Sequence, residues 1–332
     1  MIRGVRTVAV LALLVGCAST EESAQSPDAR ANLERQLGRA DESFNGRAYE
    51  EALGQYSALY LAALSGDYPG IAAEAAAQAA TIHSLEGDPA ESDRWMTFAE
   101  RYAEDAGAGA ATRVLLARGI RQWKAGEERA AEATFEELVV LCDGSGLEIR
   151  AMQAASLAAL TTSGEEQLTW NLRAIEAAQG LGEPRWEAAL WTNHGWLLEA
   201  RAEHGDALRS FERARDLLLE ATPSPMERLQ AEWGVGHGLR LAGRAAEARG
   251  VLEQVAVRGR ELYATRPAAR QAEWLGRAEW ELGELDAAEG DTEAAVRRLT
   301  SARRRLEEAG AAKAAPDLLR TLDRRLGQLQ AP

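Results

Sequence analysis

The sequence predicts an all-helical chain, an α-solenoid of about six to seven stacked helical hairpins closed by a C-terminal capping helix. Three observations predict it. Seven glycines recur along the 332 residues (Gly46, Gly87, Gly126, Gly164, Gly205, Gly243 and Gly290), in steps of 41, 39, 38, 41, 38 and 47 residues. Each is followed by a charged residue, from Arg47 and Asp88 to Arg244 and Asp291. A glycine that ends one helix, followed by polar residues and a second Ala-rich helix, is the pattern of a hairpin, and its recurrence at this period marks a stacked array. Composition agrees: alanine, leucine, glutamate and arginine dominate, there are only 9 prolines, and β-branched residues are few beyond the start of the chain.

The first residues stand apart from this pattern. Arg3 and Arg6 give a positive start, and residues 7–15 form an apolar run much too short to span a bilayer. The run ends Leu14-Val15-Gly16-Cys17, which resembles the lipobox of bacterial lipoproteins. That resemblance implies cleavage before Cys17 and lipidation of Cys17. With Ala18 rather than an aspartate following, it also implies sorting to the outer membrane, with the array facing the periplasm. Residues 1–16 are then a signal peptide, and residues 17–30 are the lipidated cysteine and a polar, flexible tether.

The chain carries a formal net charge of −14, and losing residues 1–16 removes two arginines and no acid, which leaves −16. An acidic body argues against nucleic acid as a partner and against lying on anionic lipid. With Cys17 lipidated, Cys142 has no disulfide partner and reads as a small buried hydrophobe.

Within each unit a second pattern appears. A small residue in the first helix is followed twelve residues later by another, four beyond that by a bulky one, and three further on by Ala, Leu or Val. The sets are Ala40, Ala52, Tyr56, Leu59; Ala80, Ser92, Met96, Ala99; Gly119, Ala131, Phe135, Leu138; Gly195, Ala207, Phe211, Ala214; Gly236, Ala248, Leu252, Val255; and Gly283, Ala295, Leu299, Ala302. This resembles the tetratricopeptide repeat, over residues 31–305. The family's small residues let the two helices of a hairpin approach closely, and its bulky residue fills the gap. The unit around Gly164 departs from the pattern, with Ala155 followed by Gln167 and Asn171, and is expected to pack irregularly.

The period exceeds the usual repeat, so longer helices or connections are expected. Turn-rich stretches place connections at residues 65–69, 142–146, 180–184 and 222–225, and a long helix is expected over 268–288. Residues 306–332 form the cap and tail. Leu318, Leu319, Leu322, Leu326 and Leu329 share one face of a helix, with Arg320, Arg324 and Arg325 on the other.

No catalytic constellation emerges. The four histidines are scattered, without metal-ligand spacing, so neither metal nor cofactor is expected. Gly234-Val235-Gly236-His237-Gly238 lies where a first helix should be and has no preceding strand, so close helix packing explains its glycines better than a nucleotide loop. Asp143-Gly144-Ser145-Gly146 lacks the order of a nucleophile elbow. The expectation is a protein without enzymatic activity.

Nine tryptophans are many for a chain with four phenylalanines. Trp191, one turn before Gly195, falls where the repeat family favours a core tryptophan. In that family the concave groove is lined from the first helices. The resemblance implies groove positions for Trp123, for Asn193, Trp196 and Glu199, for Trp233, His237 and Arg240, and for Trp280, Glu281 and Glu284. Trp123, Trp196, Trp233 and Trp280 would form an aromatic stripe offering stiff contact area to a peptide or helix. Packing of the same rings between neighbouring hairpins remains the alternative. Asn193 resembles the asparagine that grips peptide backbone in such grooves. Lys124, Arg240 and Arg277 do not reproduce the basic carboxylate clamp of chaperone-tail binders, so a free C-terminus is not the expected ligand. The resulting expectation is a membrane-anchored scaffold or adaptor that binds a protein or peptide partner in an envelope assembly. A pilotin-like secretin or pilus assembly factor, and a sensor subunit that binds a cell-wall fragment, stay open beside it.

Overall fold

A computed structural model describes residues 27–103, 106–142 and 146–331. The expected signal peptide and Cys17 lie outside these residues, as do residues 18–26 of the tether. Residues 27–30, expected in the tether, instead begin the first helix, which Pro27 can open because its missing N–H would be unpaired there anyway.

Seven hairpins follow one another. They are α1 (Pro27–Asn45) with α2 (Tyr49–Ser65), α3 (Pro69–Glu86) with α4 (Pro89–Ala103), and α5 (Gly107–Lys124) with α6 (Glu128–Cys142). Next come α7 (Glu148–Thr161) with α8 (Gly164–Leu181) and α9 (Pro184–Ala200) with α10 (His204–Glu220). The last are α11 (Pro225–Leu241) with α12 (Ala245–Thr265) and α13 (Ala269–Ala288) with α14 (Thr292–Glu308). A short turn, α15 (Ala311–Ala314), leads into the cap helix α16 (Pro316–Gln330). Each second helix packs against the first helix of the next hairpin, and α16 packs on α14. No strand occurs among the described residues, and none of their helices is long and apolar enough to cross a membrane.

The turn glycines are legible in part. Gly87, Gly126, Gly243 and Gly290 end first helices in the left-handed region, with φ of 81°, 79°, 77° and 87°. In the first and fifth hairpins that conformation falls instead on Arg47 (φ 61°) and Ala202 (φ 59°). Gly205 already lies inside α10, and Gly164 opens α8 rather than closing α7.

The small-to-bulky pattern has a direct physical basis. A Cβ added to Gly195 would lie 2.5 Å from the Phe211 ring; one on Gly236 would lie 2.7 Å from Leu252, and one on Gly283 2.9 Å from Leu299. Gly119 stands in the same relation to Phe135. Each bulky partner is at most 2% exposed, so there is no free space for the hairpin to absorb a methyl group. In the degenerate unit hydrogen bonds stand at these positions instead, one within the hairpin and one to the first helix of the next. Asn171, buried where the others carry a bulky apolar group, pairs with His194 Nδ1 at 3.0 Å, and Gln167 donates to the Ala159 carbonyl at 2.9 Å.

A polar seam joins the N-terminal first helices. Arg113 of α5 spans Asp41 of α1 (2.5 and 2.8 Å) and Glu74 of α3 (2.8 Å), and Arg150 of α7 donates to the same Glu74 oxygen at 2.9 Å. Tyr56 donates to Asp41 at 2.6 Å. Burial opposes the Asp41 charge, yet its hydrogen bonds from Arg113 and Tyr56 hold the carboxyl below its ordinary value.

Candidate functional site

Three first helices and the cap enclose a cleft of about 300 Å³, lined by Trp196 of α9, Trp233, His237 and Arg240 of α11, Arg277, Trp280, Glu281 and Glu284 of α13, and Leu318 of α16. The glycines of α11 let it pack closely on the second helices beside it, α10 and α12, which sets the position of its cleft-lining face. Gly236 faces Leu252 of α12, and a Cβ on Gly238 would sit 3.0 Å from the Phe211 ring and 3.2 Å from the Leu208 backbone of α10. Gly234-Val235-Gly236-His237-Gly238 is therefore continuous helix, as its setting in the sequence implies. Each glycine costs about 1 kcal/mol of helix propensity, which the close packing must offset.

Aromatic rings form one wall. Trp233 is only 3% exposed and stacks on His237 at 5.0 Å with an interplanar angle of 13°. Trp196 is 36% exposed and meets Trp233 at 5.9 Å, His237 at 5.3 Å and Phe211 at 5.1 Å. Trp274 meets Trp233 edge-on at 5.2 Å, and the Arg277 guanidinium lies over both rings, at 5.8 and 5.3 Å.

Beneath the rings lies a buried charge relay. His237 Nδ1 faces Glu281 Oε1 at 2.8 Å and its Nε2 faces Glu199 Oε2 at 2.9 Å. Two carboxylates, one at each ring nitrogen, are both satisfied only when both nitrogens carry protons, so the ring is an imidazolium. Burial disfavours that charge, but the hydrogen bonds to Glu199 and Glu281 outweigh it and push the pKa up to about 9. Burial likewise disfavours the Glu281 carboxylate, while His237 and the Arg240 guanidinium hold it below its ordinary value. In this state His237 has no lone pair with which to take a proton from a substrate. The relay instead ties α9, α11 and α13 together and fixes the rings stacked on it.

Of the ten groove positions read from the sequence, the structure brings seven together to line the cleft: Trp196, Trp233, His237, Arg240, Trp280, Glu281 and Glu284, and Glu199 lies against His237. Trp123 is not among them. It packs in the α5–α6 hairpin with Ile120 and Phe135, beside Lys124 at 5.2 Å, so the expected four-tryptophan stripe reduces to three. The repeat spacing puts Trp123 on the right helix but carries no information on the distance separating its hairpin from the others. Asn193 is exposed on α9 and does not line the cleft. Sequence reasoning missed Leu318, because nothing in the cap helix signals that its leucine face reaches α13. Elsewhere, Glu132, Glu136 and Glu166 bring carboxylate oxygens within 4.8 Å of one another on α6 and α8, with no histidine or cysteine among them. Cys142 is buried.

Solved structures with the same course of helices decide the fold. They include a signal-transduction ATPase with numerous domains that carries a tetratricopeptide repeat sensor, from Pyrococcus horikoshii (TM-score 0.67, 12% identity over 88% of this chain and 44% of that one). The apo form of RapI is also similar (TM-score 0.68, 11% identity, 82% and 76% of the two chains). So is a Rap protein complexed with Competence and Sporulation Factor (TM-score 0.56, 12% identity, 90% and 88%). The fold is a tetratricopeptide-like solenoid. The solenoid spans less than half the length of the archaeal ATPase. No protein-family model and no curated protein matches it.

Proposed function

We propose that this solenoid is a non-enzymatic adaptor that holds a peptide segment of a protein partner in the cleft between α9, α11, α13 and α16. The observation that carries this reading is the cleft itself. It sets Trp196 half open above a floor of stacked Trp233 and His237, with charged side chains from α11 and α13 beside them. Stiff aromatic surface beside fixed charges is the makeup of a binding hot spot, since little side-chain entropy is lost when a partner docks. A Rap protein of similar fold was solved in complex with Competence and Sporulation Factor, which supports ligand capture by a solenoid of this kind.

The adaptor works at a membrane in this reading. Arg3, Arg6, the apolar residues 7–15 and Leu14-Val15-Gly16-Cys17 support processing and lipidation at Cys17, with an envelope assembly as the setting. Two experiments test the two parts. A photo-crosslinking residue in place of Leu318 should yield a specific partner adduct that Trp196→Ala abolishes. The same adduct from a residue placed at Val257, outside the cleft, would argue against the cleft. Cys17→Ser should move the protein from the membrane fraction to the soluble fraction, and unchanged membrane attachment would remove the anchor from the proposal.

A further inference from the structure

The polar groups of the cleft divide unevenly into those already paired and those not. Both carboxylates that line it are engaged at both oxygens. Glu281 takes His237 on Oε1 and Arg240 Nε on Oε2. Glu284 takes Trp280 Nε1 at 3.2 Å on Oε1 and Arg325 Nε at 2.9 Å on Oε2. The donors are less occupied. Among the described residues Arg240 bonds through Nε alone, which leaves both of its terminal nitrogens unpaired. Arg277 gives Nε and Nη2 to one oxygen of Glu273 and keeps Nη1 free. The Trp233 indole N–H has no acceptor among them.

Unmet capacity in the cleft is thus on the donor side, and a ligand that fits it supplies acceptors. We infer that the cleft takes its peptide through an internal aspartate or glutamate side chain, seated on Arg240 and Arg277, with a bulky apolar neighbour against Trp196. This rests on the reading of the cleft as a partner site and adds the chemistry of what enters it. A guanidinium offers paired N–H groups in a plane that matches a carboxylate, and such charge-assisted bonds are the stronger kind. A lysine of the ligand would need a carboxylate, and here it would have to displace His237, Arg240 or Arg325. A neutral amide offers a single acceptor oxygen without charge, so it would occupy fewer of the free N–H groups of Arg240 and Arg277 and bind them more weakly than a carboxylate. The net charge of −14 gives an acidic ligand no long-range attraction. Beyond a Debye length of about 10 Å at 0.1 M salt that repulsion is screened, so contact chemistry decides the affinity.

Random-peptide display on the full-length chain tests this while the partner is still unidentified. Each selected peptide would be titrated by tryptophan fluorescence beside a twin in which its acidic residue is changed to the matching amide. The expected result is selection of Asp or Glu next to a bulky apolar residue, with the amide twin weaker by roughly tenfold or more. Arg277→Gln should erase the difference between the twins, and Trp196→Ala should weaken both. Among the described residues Arg277 hydrogen-bonds only Glu273 of its own helix and otherwise lies over the Trp233 and Trp274 rings, so circular dichroism and a thermal melt of the variant check that the fold is kept. Peptides that require Trp196 but bind equally well as amides, or that are enriched in Lys, would overturn the acidic ligand and leave the cleft standing. Peptides indifferent to Trp196→Ala, or no selection at all, would overturn the cleft as the binding site and this inference with it.

Discussion

His237 Nδ1 lies 2.8 Å from Glu281 Oε1, across the boundary between two hairpins, and its other nitrogen reaches Glu199 of a third. One imidazolium therefore joins three repeats. The groups facing this ring are Glu199 from α9, Phe211 from α10, Glu281 from α13, and Trp233 and Arg240 on its own helix, with Trp196 alongside. Because its pKa is raised to about 9 in the folded state, the proton contributes stability in full below the ordinary histidine value of 6.5. That contribution falls as pH rises through about 9, where the folded state loses the proton as well. The change is on the order of 3 kcal/mol at most. Urea unfolding at about pH 6 and about pH 10 should show the wild type losing stability, and His237→Gln should remove most of that dependence. Equal pH dependence in both proteins would contradict the relay.

Gly195 and Gly205 occupy opposite situations ten residues apart in one hairpin. A Cβ on Gly195 would press on Phe211, whereas a Cβ on Gly205 would meet nothing within 4 Å. Gly195→Ala should therefore lower stability by about 1–3 kcal/mol through overpacking, despite the better helix propensity of alanine. Gly205→Ala, in the first turn of α10, should raise stability by a few tenths to about 1 kcal/mol. Paired thermal melts check both signs, and a stabilised Gly195→Ala would mean that the hairpin can open without cost.

The contrast shows how far the sequence could be read. The period and the small-to-bulky spacing identify the hairpins because both follow from contacts within one repeat, such as Gly195 with Phe211. Gly205 looked like a turn residue only because it kept the period; the left-handed position falls three residues earlier, on Ala202. The cleft was legible where adjacent units in register supply it, as with Trp196, Trp233, His237 and Trp280. It was not legible where the array's own geometry decides, as with Trp123 two hairpins away. The seam of Asp41, Glu74, Arg113 and Arg150 was not legible: Glu74 and Arg113 share a register, each thirteen residues before a turn glycine, but the four members come from four hairpins and nothing in the spacing says that their side chains meet.

That seam makes its own prediction. Among the described residues, Arg113 alone forms ion pairs with both Asp41 and Glu74, and all three side chains are largely buried. Arg113→Met should destabilise the N-terminal hairpins by roughly 3–5 kcal/mol, because two acids then lose a buried counter-charge. Adding Asp41→Asn should recover part of that loss, a non-additivity measurable by a double-mutant cycle. Asp41 also predicts an acid limit. Its depressed pKa contributes stability that is present above the ordinary value of 3.8 and lost as pH falls through the lower folded value. Asp41→Asn should be correspondingly less sensitive to acid.

The cap helix should act locally, and its role in the cleft makes that consequential. Leu322 of α16 is fully buried and Leu319 nearly so, against Leu299 and Leu306 of α14, while Arg325 holds Glu284 and through it the indole of Trp280. Leu322→Ala should cost about 2–5 kcal/mol at that end of the array. In a solenoid each repeat contacts only its neighbours, so the loss should not spread evenly. Hydrogen exchange should accelerate in α13, α14 and α16 and leave α1 to α4 unchanged. Arg325→Ala should leave exchange near wild type but free Glu284, and so alter Trp280 fluorescence and the ligand preference of the cleft. Uniform acceleration along the whole chain in Leu322→Ala would mean that the repeats unfold as a single cooperative unit.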